Sequence, residues 1–256
     1  MYAGYTDGST AMILVPEADT AKRAVWTLVK AAASQTTGYC VPAKGVPEQI
    51  NLQVATADSV VASWVTFEPE DPRAAPTVVL THLAGGGSST LRGFTHRYAT
   101  KAGRVFYMHF VALRGLVSRG RYSYVVRGGG AEAVSSASFT FRAPPDTTTP
   151  TRLDMYGDMG VYSWNSMANL RADCNGDPAT SVADAIVHMG DHAYNEGDDD
   201  EIRADAYMNA FQPILSECPW MPVVGNHEYS GMQLARYLNS TWEKWVSEPT
   251  WYQAWY

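Results

Sequence analysis

The sequence is poor in cysteine, in basic residues and in long apolar runs, and it contains no histidine beyond position 227. Its three cysteines, Cys40, Cys174 and Cys218, include no CxxC pair, which argues against a thiolate zinc cluster. An odd count leaves either a free thiol or a partner outside this chain. A Cys174–Cys218 bridge and buried unpaired thiols both stay open. No apolar run approaches the roughly eighteen residues of a membrane-spanning helix. Nineteen Lys and Arg stand against 26 Asp and Glu, a formal charge of -7, and that balance argues against a nucleic-acid-binding surface. It does not exclude a small anionic substrate, because bound metal ions reverse the local sign of a site.

What is present is a chain of 256 residues, 46% hydrophobic, long enough for two folded domains. Residues 1–47 are the least informative and remain unassigned. Asp19 or Thr20 can cap a helix over 21–33, with Val25, Leu28 and Val29 at helical spacing. A signal peptide built on Lys22-Arg23 and residues 24–29 is too short and is interrupted by Lys30.

From Pro47 the texture becomes short alternating segments separated by Gly, Pro and Ser. Ile50, Leu52 and Val54 alternate with polar neighbours, and further strands are expected at 60–67 around Trp64, 77–83, 104–113, 121–127 and 136–142. Six or seven short strands at this spacing predict a β-sandwich over 48–143. Leu116 followed by Tyr122 at the head of a strand resembles the tyrosine corner of fibronectin type III domains. Gly85-Gly86-Gly87 and Gly128-Gly129-Gly130 read as loop tips, since neither leads from a strand into a helix. Residues 144–151, rich in Pro and Thr, read as a linker.

Beyond the linker the pattern becomes strand followed by helix: strands at 152–156, 185–189 and 221–224, helices near 164–171, 200–216 and 232–246. Such alternation predicts an α/β layer whose ligands bind past the carboxyl ends of the strands. Three strings stand there: Tyr156-Gly157-Asp158-Met159-Gly160, Gly190-Asp191-His192-Ala193-Tyr194 and Gly225-Asn226-His227-Glu228. The glycines before Asp158 and Asp191 let the chain turn sharply off its strand. Carboxylate, amide, phenolate and imidazole donors suit iron, zinc, manganese or magnesium. Two such ions about 3.5–4 Å apart can clamp an in-line displacement at phosphorus, with Asp191 as the carboxylate that bridges them.

The three strings resemble the first three motifs of the calcineurin-like metallophosphoesterases, and together with Tyr194 and the preceding sandwich they resemble a purple acid phosphatase. The resemblance implies a fibronectin type III-like sandwich followed by an αββα catalytic domain, here from residue 152 onward. It implies an Fe(III)–M(II) pair, with M being Zn, Mn or Fe. Asp158 and Tyr194 would bind the ferric ion, Asp191 would bridge, and Asn226 would bind the divalent ion. His227 would donate to the substrate phosphate, and Glu228 would orient its neighbours. The expected reaction is hydrolysis of a small phosphomonoester by a metal-activated hydroxide, in a secreted or acidic lumenal setting. A phosphodiesterase or nucleotide pyrophosphatase of the same superfamily is the alternative, as is a non-catalytic sandwich acting as a binding module.

The family's fourth and fifth motifs, one His and then Gly-His-x-His, have no counterpart after His227. The chain therefore reads as the first half of a catalytic domain, C-terminally truncated, with little activity of its own. Other residues carry blander readings. His188 reads as a packing residue, His192 as pointing either into the site or to solvent, and His82, His96 and His109 as too scattered for a metal. The acidic run 196–201 reads as a solvated loop and helix cap. Trp242, Trp245, Trp251 and Trp255 read as core residues left exposed, and Asn239-Ser240-Thr241 as a glycosylation acceptor.

Overall fold

Strand β3 (Glu48–Thr56) alternates Ile50 and Leu52, both buried in a sandwich core, with amide side chains on its other face. The computed structural model describes residues 12–17, 25–30, 45–67, 74–100, 102–130, 133–160, 164–175, 177, 179–194, 198–223 and 225–229. Two units separate, 1–42 and 43–256. In the first, β1 (Met12–Glu17) and β2 (Val25–Lys30) pair antiparallel. The helix expected over 21–33 is therefore not formed. Val25, Thr27 and Val29 are β-branched at alternate positions, and strand pairing outweighs a helical spacing carried by three residues.

In the second unit β3 is followed by β4 (Ser59–Thr66), β5 (Thr77–His82), β6 (Ser88–Arg92), β7 (Phe94–Ala99), β8 (Val105–Leu113), β9 (Arg121–Arg127) and β10 (Phe139–Arg142). The order β10-β9-β5-β6 forms one sheet, while β3-β4-β8-β7 belongs to the other. Between them lie Leu52, Val60, Trp64, Val78, Tyr124 and Phe141. Trp64 is fully buried, as its place in an early strand predicts. Strands β6 and β7 escaped the sequence reading. Ser88-Ser89-Thr90 carry no apolar alternation because β6 is an exposed edge strand. The chain changes sheets at Gly93, where a Cβ would overlap the Phe110 carbonyl. The Tyr122 phenol accepts a hydrogen bond from the Val117 N–H at 2.9 Å, the bond expected of a tyrosine corner.

The remaining elements are β11 (Leu153–Tyr156), α1 (Trp164–Asp173), β12 (Ala185–Met189), α2 (Asp198–Leu215), β13 (Pro219–Val223) and the single turn α3 (Asn226–Tyr229). Strands β11, β12 and β13 run parallel, with Tyr156 opposite His188 and His188 opposite Pro222. Their sheet does not stop at β13. Pro219 and Trp220 pair in parallel with Leu52 and Gln53 of β3, so seven strands run in the order β11-β12-β13-β3-β4-β8-β7. Helix α2 lies over that junction and contributes Tyr207, Phe211 and Ile214 to a core with Ile186 and Trp220. The helix expected near 232–246, the four C-terminal tryptophans, the glycosylation triplet and the Glu228 side chain lie outside the described residues.

Two further ties close this half. Cys174 and Cys218 form a disulfide with Cα atoms 5.5 Å apart, joining the end of α1 to the start of β13; the reading of buried unpaired thiols is corrected for this pair. The buried Asp184 carboxylate, one residue before β12, accepts from Arg119 at 3.3 Å, Arg142 at 3.0 Å and the Arg152 N–H at 2.9 Å. Two sandwich guanidiniums thus satisfy one carboxylate of the α/β half, which the interior demands of a buried charge. Among the described residues no helix is long and apolar enough to cross a membrane.

His109 on β8 is fully buried between the hydroxyls of Thr66 and Thr95, at 3.0 and 2.9 Å, and packs on Trp64. Burial pushes its pKa down to about 3, so the folded state keeps it neutral where the unfolded chain takes a proton. Stability is complete above the unfolded value near 6.5 and is lost as pH falls from there towards 3. The loss is about 1.4 kcal/mol per pH unit for one such group. His109→Gln should flatten the fall in thermal midpoint between pH 6 and 4 by that slope, as measured by calorimetry across buffers.

Candidate metal centre

Each of the three strings begins where a parallel strand ends. Because Tyr156, His188 and Pro222 lie abreast, the residues that follow leave the sheet side by side. The backbone at these points is unusual. Asp158, Asp191 and Tyr194 have φ of 55°, 52° and 43°, and Gly190 has φ 83°. Non-glycine residues seldom take the left-handed region, and they cluster there at working sites. The two leading glycines differ in role. Gly190 turns the chain itself, whereas at the first string Asp158 takes the turn. There, a Cβ on Gly157 would press on the Met189 carbonyl at 3.2 Å.

The side chains then converge. The Tyr194 phenol donates to Asp158 Oδ1 at 2.5 Å. Asp191 Oδ1 accepts the His227 N–H at 3.1 Å, and its Oδ2 is 4.0 Å from His227 Nε2. The His227 ring lies 4.5 Å from that of Tyr194, tilted by 58°. A Cβ on Gly225 would overlap the Asp191 carboxylate, so the third string must carry glycine for Asp191 to occupy its place. The structure thus brings together Asp158, Asp191, Tyr194 and His227; Asn226 is exposed on the first residue of α3.

Among the described residues no three His, Cys, Asp or Glu side chains form a metal cluster. The four nominated ligands are instead oxygen donors, two of them phenol and amide. A phenol and a carboxylate in contact at 2.5 Å suit a hard cation such as ferric iron.

Two histidine readings resolve differently. His188 is a packing residue, as expected: it is fully buried, with Nδ1 2.7 Å from the Tyr207 hydroxyl. Burial, reinforced by neighbouring His192, pushes its pKa down to about 2. His192 neither enters the site nor faces solvent. It is fully buried, 4.4 Å from the His188 ring and near-parallel to Tyr207. The left-handed turn at Asp191 sends the carboxylate outward and the next side chain into the core. The solvated reading of the acidic run is corrected at Glu201, which is only 4% exposed and accepts from Tyr98. Arg203, which donates to the Tyr194 carbonyl at 2.9 Å, was missed, since its partner is backbone and leaves no trace in the sequence.

Residues 47–143 match the family described as purple acid phosphatase, N-terminal domain, and residues 151–255 match calcineurin-like phosphoesterase. The chain is similar to the purple acid phosphatases across both of its parts. Acid phosphatase type 7 of Mus musculus is 30% identical over 185 residues, covering 71% of this chain and 40% of that protein. Purple acid phosphatase 22 of Arabidopsis thaliana is 28% identical over 188 residues, covering 72% and 38%. A purple acid phosphatase from yellow lupin (Lupinus luteus) seeds shares the fold, with a TM-score of 0.60 at 20% identity over 86% of this chain and 40% of that one. The chain spans about 40% of the length of these relatives. All three strings fall within the residues that match calcineurin-like phosphoesterase.

Gly225→Ala tests the close approach without touching a donor. It should weaken Mn²⁺ or Zn²⁺ binding on the order of tenfold, as displacing a ligand's support does elsewhere. Calorimetric titration measures this, with circular dichroism unchanged.

Proposed function

We propose that these residues form part of a binuclear Fe(III)–M(II) centre, M being Zn, Mn or Fe, that hydrolyses small phosphomonoesters. The observation that carries this reading is the contact of Tyr194 with Asp158, joined through His227 to Asp191, at adjacent strand ends on left-handed backbone. Asp158 and Tyr194 would hold the ferric ion, Asp191 would bridge, and Asn226 would hold the divalent ion. When bound, the metals supply Lewis acidity and a nucleophile at working pH. The chain's own residues do the rest. Asp191 is oriented by the His227 N–H, and the His227 ring, a third exposed, would donate to a phosphate oxygen. The names of the relatives, acid phosphatases in mouse and purple acid phosphatases in Arabidopsis, support a monoester over a diester.

The Cys174–Cys218 disulfide supports a secreted or acidic lumenal setting, where such bonds persist. The Tyr122 corner supports a fibronectin type III-like N-terminal domain over 48–143, followed by a linker at 144–151 and the phosphoesterase part from 152. The sequence offers no histidine after His227, so little turnover is expected of the 256-residue chain by itself.

Metal analysis and turnover of an aryl phosphate test the assignment. Two bound metals without monoesterase activity would defeat it. Tyr194→Phe in a ferric protein should abolish the visible charge-transfer band while leaving the sandwich folded; an unchanged band would rule out phenolate ligation.

A further inference from the structure

Helix α2 presents two different faces, and each makes specific polar contacts. Residues 201, 205, 209 and 212, one helical stripe, meet the sandwich. Glu201 Oε1 accepts from the Tyr98 hydroxyl at 2.7 Å, and Asp205 accepts from Gln49 at 2.8 Å and is paired with Arg104. Asn209 donates to Glu48 at 3.1 Å, and Gln212 accepts the Ile50 N–H at 3.0 Å. The other stripe, residues 203 and 207, meets the site. Arg203 donates to the Tyr194 carbonyl, and the Tyr207 hydroxyl meets His188, three residues before Asp191. The strained backbone follows the same division. Among the described residues, the non-glycine residues with positive φ are Asp158, Asp191 and Tyr194 at the site, and Gln49, Arg119, Asp200 and Glu201 where the two halves touch. Such conformations persist only where the surroundings over-determine them.

We propose that the N-terminal domain is a positioning element for the metal site: Tyr98, through Glu201 and Arg203 on the first turns of α2, sets the position of Tyr194. The sandwich thereby has a task beyond attachment, and Tyr98 and Arg203 are positioning residues that touch neither metal nor substrate. The catalytic importance of this rests on Tyr194 being a ligand; the positional claim does not.

The test uses the metal-free 256-residue chain with ¹³C-labelled tyrosine, the Tyr194 ring resonance being assigned by its loss in Tyr194→Phe. Tyr98→Phe should shift that resonance, and Arg203→Ala should shift it further, with Arg203→Lys restoring it in part. Tyr124→Phe is the control. It removes a buried cross-domain bond of the same kind, Tyr124 hydroxyl to Ser216 carbonyl at 2.7 Å, but beyond the far end of α2. It should lower the thermal midpoint without moving the Tyr194 signal. A Tyr194 resonance unmoved by Tyr98→Phe and Arg203→Ala, or moved equally by Tyr124→Phe, overturns the proposal. Titration with Zn²⁺ alone judges the ligand reading separately. Affinity should fall on the order of tenfold in Tyr98→Phe. A shifted resonance with unchanged Zn²⁺ affinity would uphold the positioning and remove Tyr194 from the ligand set.

Discussion

Two backbone pairings, Pro219 with Leu52 and Trp220 with Gln53, decide the layout of the larger unit. They convert a sandwich sheet and an α/β sheet into one, and they fix where β13, and hence the third string, stands relative to β11 and β12. A short parallel ladder is weak by itself. It is held by what crosses it: the Trp220 indole donating to Asn51 at 3.2 Å, and α2 lying over the seam. Without this junction the edge of β13 would be open, a hazard that native sheets cover.

The same seam links stability to the chemistry above it. The site is built outward from left-handed turns, and the core below it is built from rings, with His188, His192, Tyr207 and Trp220 packed beneath Asp191. Burial keeps His188 and, in the sandwich, His109 neutral far below ordinary imidazole values. A protein proposed to work in acid thus depends on buried groups that favour the folded state least in acid. The Cys174–Cys218 disulfide exchanges no proton, so the stability it contributes does not fade in acid.

Much of the architecture was legible locally. Trp64, the alternation along β3 and the strand-to-helix rhythm after residue 152 each follow from side-chain periodicity, and Leu116 with Tyr122 marked the corner found at Val117. What local pattern could not show depended on distant partners. The polar β6 is a strand only because β5 pairs with it. The stretch containing Val25 is a strand because β1 lies opposite it. Glu201 looks solvated until Tyr98 is found 103 residues away in sequence, and His192 reads as facing either the site or solvent until the turn at Asp191 directs it inward.

The sequence by itself determined the chemistry at hand: which donors exist, that each follows a strand, and that Asp158, Asp191, Tyr194, Asn226 and His227 form three spaced strings. Residue type and spacing suffice for this, because ligand character resides in single side chains and strand ends are set by local patterning. Only the tertiary structure decided that Tyr194 meets Asp158, that Gly225 must yield room to Asp191, and that the sandwich reaches the site through α2. Apart from the nine-residue step from Arg203 to Tyr194, those are contacts between residues dozens to more than a hundred positions apart, and they come into being only when the strands are in register and the helix is seated on them.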